Sequence, residues 1–271
     1  SLSWLCLVFI GMVGYDNITD KAQPTTPIQQ EQQKVSKHEK SAAMALFTSL
    51  LPPKEEWPSP VHKFYLAFNM DEVIDPIRQN PNWTSLDAMS RDIPQALIAI
   101  EDHAFYNHGA IAVEGILRAA LANINAGEVV QGGSTLTQQF VKNVFLSHEQ
   151  SMERKIEEAV LSLMLEDNYS KDEILELYLN TTYFGAGSTG IKQASRTYFG
   201  KAPSALTLAE AAVIASLPYA PTSLNPLENP EGCKKRQLLV LAAMHKYGMI
   251  NQGQLAEAKT EKIRLTNGTV M

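Results

Sequence analysis

Three short stretches bring acids, amides and cations together at spacings that could support catalysis. They are IEDHAFYNHG at 100–109, GGSTLTQQFVKN at 132–143 and ERKIEEAVLSLMLED at 153–167. Glu101 follows an apolar run, so its carboxyl should be partly shielded from water, and shielding raises the pKa of a carboxyl. A carboxylate that titrates near neutral pH suits general-base catalysis. Glu101 is therefore a candidate for a general base.

The second stretch has the composition of an anion-binding loop. Its glycines are followed by hydroxyl and amide side chains and then by Lys142 and Asn143. A glycine-rich loop that leads into a helix often offers backbone N–H groups to an anion. The loop is not a nucleotide P-loop, because Ser134 follows Gly133 directly and no G-K-S/T arrangement is present. Two residues of the stretch, Thr135 and Gln138, could equally be structural.

The third stretch predicts a helix with a charged pair. Its apolar residues recur at helical intervals and are expected to face a core; they are Ile156, Val160, Leu163 and Met164. Arg154 and Glu158 lie four residues apart and so share a neighbouring face. One interpretation is a surface ion pair, which contributes less than about 1 kcal/mol. The other is a cation and an acid of an active site.

No stretch predicts a protein metal cage. His103 and His108 are five residues apart, which does not place them on one helical face, and the sequence contains no H-E-x-x-H. Cys6 and Cys233 are the two cysteines, too few for a framework of several disulfides.

Composition predicts one globular domain preceded by non-globular sequence. Of the 271 residues, 45% are hydrophobic and 19% are charged, which allows a full core. The formal net charge of -6 argues against nucleic acid as a partner, since such proteins usually carry a dense basic face.

Three regions follow one another along the chain. Residues 1–15 are mostly apolar and are expected to be part of a transmembrane anchor, although a signal region or a buried helix would look similar. Residues 16–44 are rich in Gln, Lys, Thr and Pro and predict a flexible tether. Residues 45–271 are expected to form the catalytic domain. The apolar segment 42–51, where the tether meets this domain, either packs on the domain or lies on a membrane.

The domain is predicted to be mainly α-helical. Between 58 and 92, turn formers such as Asp75-Pro76 and Asn80-Pro81-Asn82 predict irregular structure with short elements. From Pro94 onward, apolar residues recur at helical spacing and no run alternates with period two. Two capping boxes mark helix starts, and Gly248 marks a helix end; the boxes are Ser170 with Glu173 and Thr207 with Glu210.

Taken in order, the motifs resemble family 51 of the glycosyltransferases. This family comprises the polymerase domain of class A penicillin-binding proteins and their monofunctional relatives. The match begins with E-D-x-x-F-x-x-H at Glu101 and continues through GGSTLTQQFVKN and the R-K-x-x-E that begins at Arg154. It extends over 178–201, 208–226 and 235–244. The chain departs from the family pattern after the histidine, at Ala110, Ala112 and Val113. These departures put fine substrate geometry in doubt more than the reaction.

The resemblance implies a fold and a reaction. The expected fold is a lysozyme-like helical head domain with a smaller membrane-proximal jaw at roughly 109–131. The expected reaction polymerises lipid II into glycan strands with inversion and releases undecaprenyl pyrophosphate. Glu101 would be the base and Glu158 the second acid. The residues expected to bind substrate or pyrophosphate are Ser134, Gln139, Lys142, Asn143, Arg154, Lys155 and Tyr183.

The resemblance also implies partners and a location. The partners would be lipid II, the growing glycan strand, membrane lipid and other cell-wall synthesis proteins. No cofactor is obligatory, although Mg²⁺ or another divalent ion could bridge pyrophosphate oxygens. The catalytic domain would face outward from the bacterial cytoplasmic membrane, and moenomycin would inhibit it. The sequence contains no S-x-x-K, so we expect no transpeptidase in this chain, which is either a monofunctional enzyme or part of a bifunctional one.

Two other functions fit parts of the sequence. A lysozyme-like hydrolase or lytic transglycosylase could share the fold and use one glutamate as an acid. A non-catalytic scaffold could bind a lipid-linked precursor without reacting. The cations of 142–155 favour the polymerase over the hydrolase, and the presence of both acids favours an enzyme over a scaffold.

Overall fold

A computed structural model describes residues 65–66, 69–112, 133–146 and 151–271. The expected anchor, tether and most of the expected jaw lie outside these residues. Within the described ranges, no helix is long and apolar enough to span a membrane. The described residues divide into two compact units, one containing 65–66, 69–76 and 107–109, and the other containing 77–106, 110–112, 133–146 and 151–271.

The mainly α prediction is confirmed for the part of the chain that the structure describes. That part contains no β-strand, only isolated bridges between Tyr183 and Thr189 and between Arg264 and Val270. Its helices are α1 (Asp71–Arg78), α2 (Asp92–Glu101), α3 (Leu136–Phe145), α4 (Met152–Asn168), α5 (Lys171–Thr181), α6 (Ile191–Phe199), α7 (Leu208–Ser216), α8 (Pro230–Lys246) and α9 (Gln252–Thr260).

Helix α1, of eight residues, is one of the short elements predicted between 58 and 92. The helix continues through Asp75-Pro76, although proline lacks the N–H for a helical hydrogen bond. Acidic residues in the first turn and Arg78 in the last turn favour the helix dipole, and Ile74 is fully buried. The turn predicted at Asn80-Pro81 is confirmed, because the Asn80 side chain accepts the N–H of Asn82 at 2.8 Å.

The core of the second unit is built around α7. Eight of the nine residues of LAEAAVIAS are buried, as expected for a helix that is apolar on all sides. Helices α2 and α8 both pack against α7 and against each other. The middle of α2, from Ala96 to Ala99, is buried in this packing, and this fixes the end of α2 where Glu101 lies.

A second group of helices positions the other predicted site residues. Helix α3 packs against both α4 and α5. The capping box of Thr135 and Gln138 starts α3, which confirms the structural interpretation of these two residues. The predicted capping boxes at the starts of α5 and α7 are also confirmed. Gly248, with φ of +73°, follows the end of α8 as predicted.

The predicted core face of α4 is wrong. Ile156 is 51% exposed and Leu163 is 36% exposed, whereas Met164 is buried. The buried face is centred on the opposite side of the helix, and it consists of Glu158, Leu161, Ser162, Met164 and Leu165. The apolar spacing pointed to the face of Ile156 and Leu163, whereas the buried face includes the polar side chains of Glu158 and Ser162.

Candidate active site

Asp102 joins the end of α2 to the start of α3. Its Oδ2 accepts the N–H of Leu136, the first residue of α3, at 3.1 Å. The N–H of Gln138 is also occupied, by the Thr135 hydroxyl at 3.1 Å. Side chains of the protein therefore satisfy these two amides, and the anion-binding role of the loop stays a prediction that rests on its other groups. Asp102 fixes α3 relative to Glu101.

The side-chain amide of Gln139 holds the carboxylate of Glu101 in place. Gln139 Nε2 donates to Glu101 Oε2 at 3.1 Å. The hydroxyl of Tyr178, which is buried, donates to Gln139 Oε1 at 3.0 Å. Because the Tyr178 hydroxyl contacts the amide oxygen, the amide nitrogen is directed at the carboxylate. Helices α3 and α5 thus position the predicted base.

The environment raises the pKa of Glu101 above its ordinary value of 4.5, as predicted from sequence. Burial of the carboxyl is the largest cause, and the negative charge of Asp102 adds to it. The hydrogen bond from Gln139 and the positive charges of Arg236 and Lys142 oppose the shift. Glu101 therefore combines a basicity above that of an ordinary glutamate with fixed orientation.

Glu158 organises the cations of α4. Arg154 Nη1 donates to Glu158 Oε2 at 3.1 Å, and Lys155 Nζ donates to Glu158 Oε1. Lys155 Nζ also donates to Ser134 Oγ at 3.2 Å. Glu158 is only 1% exposed, so the interpretation of Arg154 and Glu158 as a surface ion pair is wrong. A buried carboxylate with two cationic partners is a fixed anchor for both.

These cations keep donors available for a ligand. Arg154 Nε is buried and has no hydrogen-bond partner within the described ranges. The side chain of Lys155 is 43% exposed, so its ammonium group is accessible. Guanidinium and ammonium groups carry more N–H donors than one carboxylate can satisfy. The cluster of Ser134, Arg154, Lys155 and Glu158, called the cation cluster below, is therefore suited to bind an anion.

The remaining predicted site residues are more exposed. Lys142 and Asn143 are exposed near the end of α3, and the charge of Lys142 reaches Glu101. Tyr183 is 45% exposed, and its hydroxyl accepts the N–H of Gly187 at 3.4 Å. Within the described ranges, neither Asn143 nor Tyr183 forms a hydrogen bond with Glu101 or with the cation cluster.

A close approach fixes the loop that carries Tyr183. Gly185 has φ of +87°, and a Cβ built there would lie 2.3 Å from the carbonyl oxygen of Pro221. The hydroxyl of Tyr198 would be 2.9 Å away. Only glycine fits this position, which ties the Tyr183 loop to the segment between α7 and α8.

The departure at Ala110 is accommodated. Ala110 is 2% exposed, and its carbonyl accepts the Thr135 hydroxyl at 2.8 Å. The methyl group therefore packs inside the domain while the backbone supports the start of α3. Ala112 is partly buried, and Val113 lies outside the described residues.

Two residues that act on the surroundings of Glu101 were missed by sequence reasoning. They are Tyr178 and Arg236. Both lie within the stretches that carried the family resemblance, at 178–201 and 235–244. Their contacts depend on tertiary packing and cannot be obtained from spacing. Within the described ranges, no group of three or more His, Cys, Asp or Glu side chains could hold a metal ion.

Comparison with known proteins identifies the family. The family model described as Transglycosylase matches residues 70–245, more than half of the chain. A protein of Cupriavidus necator named as a transglycosylase is 41% identical over 72% of this chain and 84% of its own length. Penicillin-binding protein 1A of Neisseria flavescens is 44% identical over 68% of this chain and 23% of that protein. Penicillin-binding protein 1A of Aquifex aeolicus is 44% identical over 65% of this chain and 24% of that protein.

The chain spans about a quarter of the length of these penicillin-binding proteins. A crystal structure of penicillin-binding protein 1A from Haemophilus influenzae is 33% identical over 48% of this chain and 16% of that one, with a TM-score of 0.34. The family match covers both the Glu101 region and the cation cluster. The chain belongs to the transglycosylase family, which is the glycosyltransferase family 51 indicated by its motifs.

Proposed function

We propose that this protein polymerises lipid II into the glycan strands of bacterial peptidoglycan and releases undecaprenyl pyrophosphate. Its family makes it a glycosyltransferase of peptidoglycan synthesis. The observation that carries the finer proposal is the pairing, through α3, of a shielded base with the cation cluster. Gln139 of α3 contacts Glu101, and Ser134, just before α3, contacts Lys155.

In the proposed reaction, the Glu101 carboxylate accepts a proton from a hydroxyl of the acceptor sugar. The hydroxyl oxygen forms a bond to the anomeric carbon of the donor. The bond from that carbon to the pyrophosphate oxygen breaks, and the electron pair leaves with the pyrophosphate. Attack opposite the leaving group inverts the anomeric carbon. Burial raises the pKa of Glu101 and so makes it a stronger base. The hydrogen bond from Gln139 to Oε2 holds the carboxylate in one orientation.

Negative charge on the leaving group grows as this bond breaks. Arg154 and Lys155 would bind the pyrophosphate oxygens, where preorganised cations stabilise the transition state most strongly. Glu158 keeps both cations in place before substrate binds, so less reorganisation is needed. Lys142 is exposed on the same helix as Gln139 and would add a third positive charge.

The other predicted residues would line the donor sugar. Ser134, Gln139, Asn143 and Tyr183 offer hydroxyl and amide groups that can bind sugar oxygens. Ser134 already contacts Lys155 of the cation cluster, and Gln139 contacts Glu101. Asn143 and Tyr183 are exposed and therefore available to a ligand.

A divalent ion, if used, would be held mainly by the substrate. The described residues provide no metal cluster of their own, so Mg²⁺ would bind pyrophosphate oxygens rather than a protein cage. Chelation of the divalent ion should lower the rate of polymerisation without changing the melting temperature.

We further propose that the protein works at the outer face of the cytoplasmic membrane, where it meets lipid II, the growing strand and other cell-wall proteins.

One experiment distinguishes the polymerase from a hydrolase. Purified protein in detergent is incubated in parallel with fluorescent lipid II and with preformed glycan, and the products are separated on a gel. The proposal predicts a ladder of polymer from lipid II, suppressed by moenomycin, and no cleavage of the glycan. Cleavage of the glycan without a ladder would contradict it and favour the hydrolase. Binding of lipid II without either product would favour the scaffold.

A further inference from the structure

The side chain of His103 lies flat against Tyr247, the residue that follows α8. The two ring centroids are 4.2 Å apart, and the ring planes differ by 15°. Stacked aromatic rings attract each other beyond the effect of the area that they bury. Because His103 follows α2 and Tyr247 follows α8, this contact joins the segment after α2 to the C-terminal end of α8.

The residues beside His103 fix the same segment to a different helix. Asp102 Oδ2 accepts the N–H of Leu136 in α3 at 3.1 Å, and the carbonyl of Asp102 accepts the N–H of Phe105 at 2.9 Å. Phe105 is fully buried. The segment 102–105 is therefore held on α3 through Asp102 and on the end of α8 through His103.

This segment begins one residue after the proposed base. Glu101 is the last residue of α2, and its carboxylate accepts a hydrogen bond from Gln139 of α3 at 3.1 Å. The ends of helices fray unless the residues that follow are fixed. A catalytic group that is misplaced by about 1 Å can lose roughly a hundredfold in rate. The contacts of 102–105 therefore bear on the orientation of Glu101.

We propose that His103 is a positioning residue for Glu101, and that its stack on Tyr247 holds the end of α2 in the orientation in which Glu101 accepts a proton. This rests on the proposed function of Glu101 as the base. The role belongs to the flat ring of His103 and requires no proton transfer by the imidazole. An aromatic ring without nitrogen should therefore serve at this position.

Steady-state kinetics of lipid II polymerisation test the role of the ring. His103→Ala should lower kcat by roughly three- to tenfold, the equilibrium value of a stacked pair, and should leave KM nearly unchanged. His103→Phe keeps a flat ring and should retain the kcat of the parent. His245→Ala is the matched control, because it makes the same change at the same end of α8, and it should follow the parent.

The partner ring allows a double-mutant cycle. Tyr247 is 39% exposed, so its removal should leave the core intact. Tyr247→Ala should lower kcat as much as His103→Ala, and the double variant should lose no more than either, because all three lack the same contact. Losses that multiply in the double variant would overturn the proposal.

Two other kinetic results would also overturn it. A His103→Phe protein as slow as His103→Ala would show that the imidazole nitrogens take part in the reaction. A raised KM with an unchanged kcat in His103→Ala would indicate that His103 binds substrate directly.

Hydrogen exchange followed by NMR tests the contact without activity. The N–H groups of Phe105 and Leu136, both bound to Asp102, should exchange faster in His103→Ala than in the parent, and at the parent rate in His103→Phe. Equal exchange in the parent and His103→Ala would overturn the proposal. If the parent makes no polymer, the proposed function fails, and hydrogen exchange still decides whether the stack holds the segment 102–105.

Discussion

Replacing Glu158 by Gln should destabilise the protein more than any exposed charge change on α4. The variant keeps the size of the side chain but removes the buried anion of the cation cluster. A hydrogen bond between charged groups contributes about 1.5–3 kcal/mol. The side chain of Arg154 is 15% exposed, so loss of its ion pair with Glu158 should lower the free energy of unfolding by about 2 kcal/mol. The side chain of Lys155 is 43% exposed, so solvent screens its ion pair with Glu158, which should contribute less than about 1 kcal/mol.

We therefore expect Glu158→Gln to lower the free energy of unfolding by about 2–3 kcal/mol, the sum of these two contributions. Urea denaturation followed by circular dichroism measures this. Glu153→Gln is the matched control, because Glu153 is an exposed carboxylate on the same helix, and its change should stay within about 0.5 kcal/mol. An equal effect of the two substitutions would refute the idea that Glu158 anchors the cations.

Three further predictions concern the surroundings of Glu101 and the Tyr183 loop. Because the pKa of Glu101 is raised in the folded protein, its ionisation costs stability as pH rises from 4.5 through the raised value. The stability of Glu101→Gln relative to the parent should therefore increase over that pH range, measured by urea denaturation at several pH values; a constant difference would contradict the shift. Gly185→Ala should destabilise the protein by about 2–4 kcal/mol, because the added methyl group would clash with backbone. Gly187→Ala, at a position with positive φ but open space, should destabilise it by about 1–2 kcal/mol. A melting temperature that falls further in Gly187→Ala than in Gly185→Ala would contradict the close packing at Gly185. Asp102→Ala should cost about 1–2 kcal/mol and slow polymerisation, because α3 loses its link to Glu101, and unchanged activity and stability would count against that link.

Local sequence rules predicted much of the helical framework. Capping boxes at Ser170 and Thr207 gave the starts of α5 and α7, because their hydrogen bonds form within one turn. The raised pKa of Glu101 was also predictable, since the apolar residues that precede it form the buried part of α2. The capping hydrogen bonds lie within one helical turn, and the apolar run before Glu101 shows in the sequence that this end of α2 faces the core.

Other features depended on residues far apart in the chain. The buried face of α4 contains Glu158 and Ser162, so a rule that places only apolar residues inside assigned the wrong face. The start of α3 looked free to bind an anion, but Asp102 occupies its first amide. The charge of Arg236 acts on Glu101 although the two residues are far apart in the chain. Spacing along the sequence carries no signal for such contacts.

The most direct test of the account compares the rate of lipid II polymerisation by the parent protein and by Glu101→Gln under identical conditions. The substitution removes the base and keeps the shape, so the rate should fall by about 10²–10⁴-fold while the circular dichroism spectrum is unchanged. Polymerisation at the parent rate by a folded Glu101→Gln protein would show that another group accepts the proton, and it would contradict the central claim.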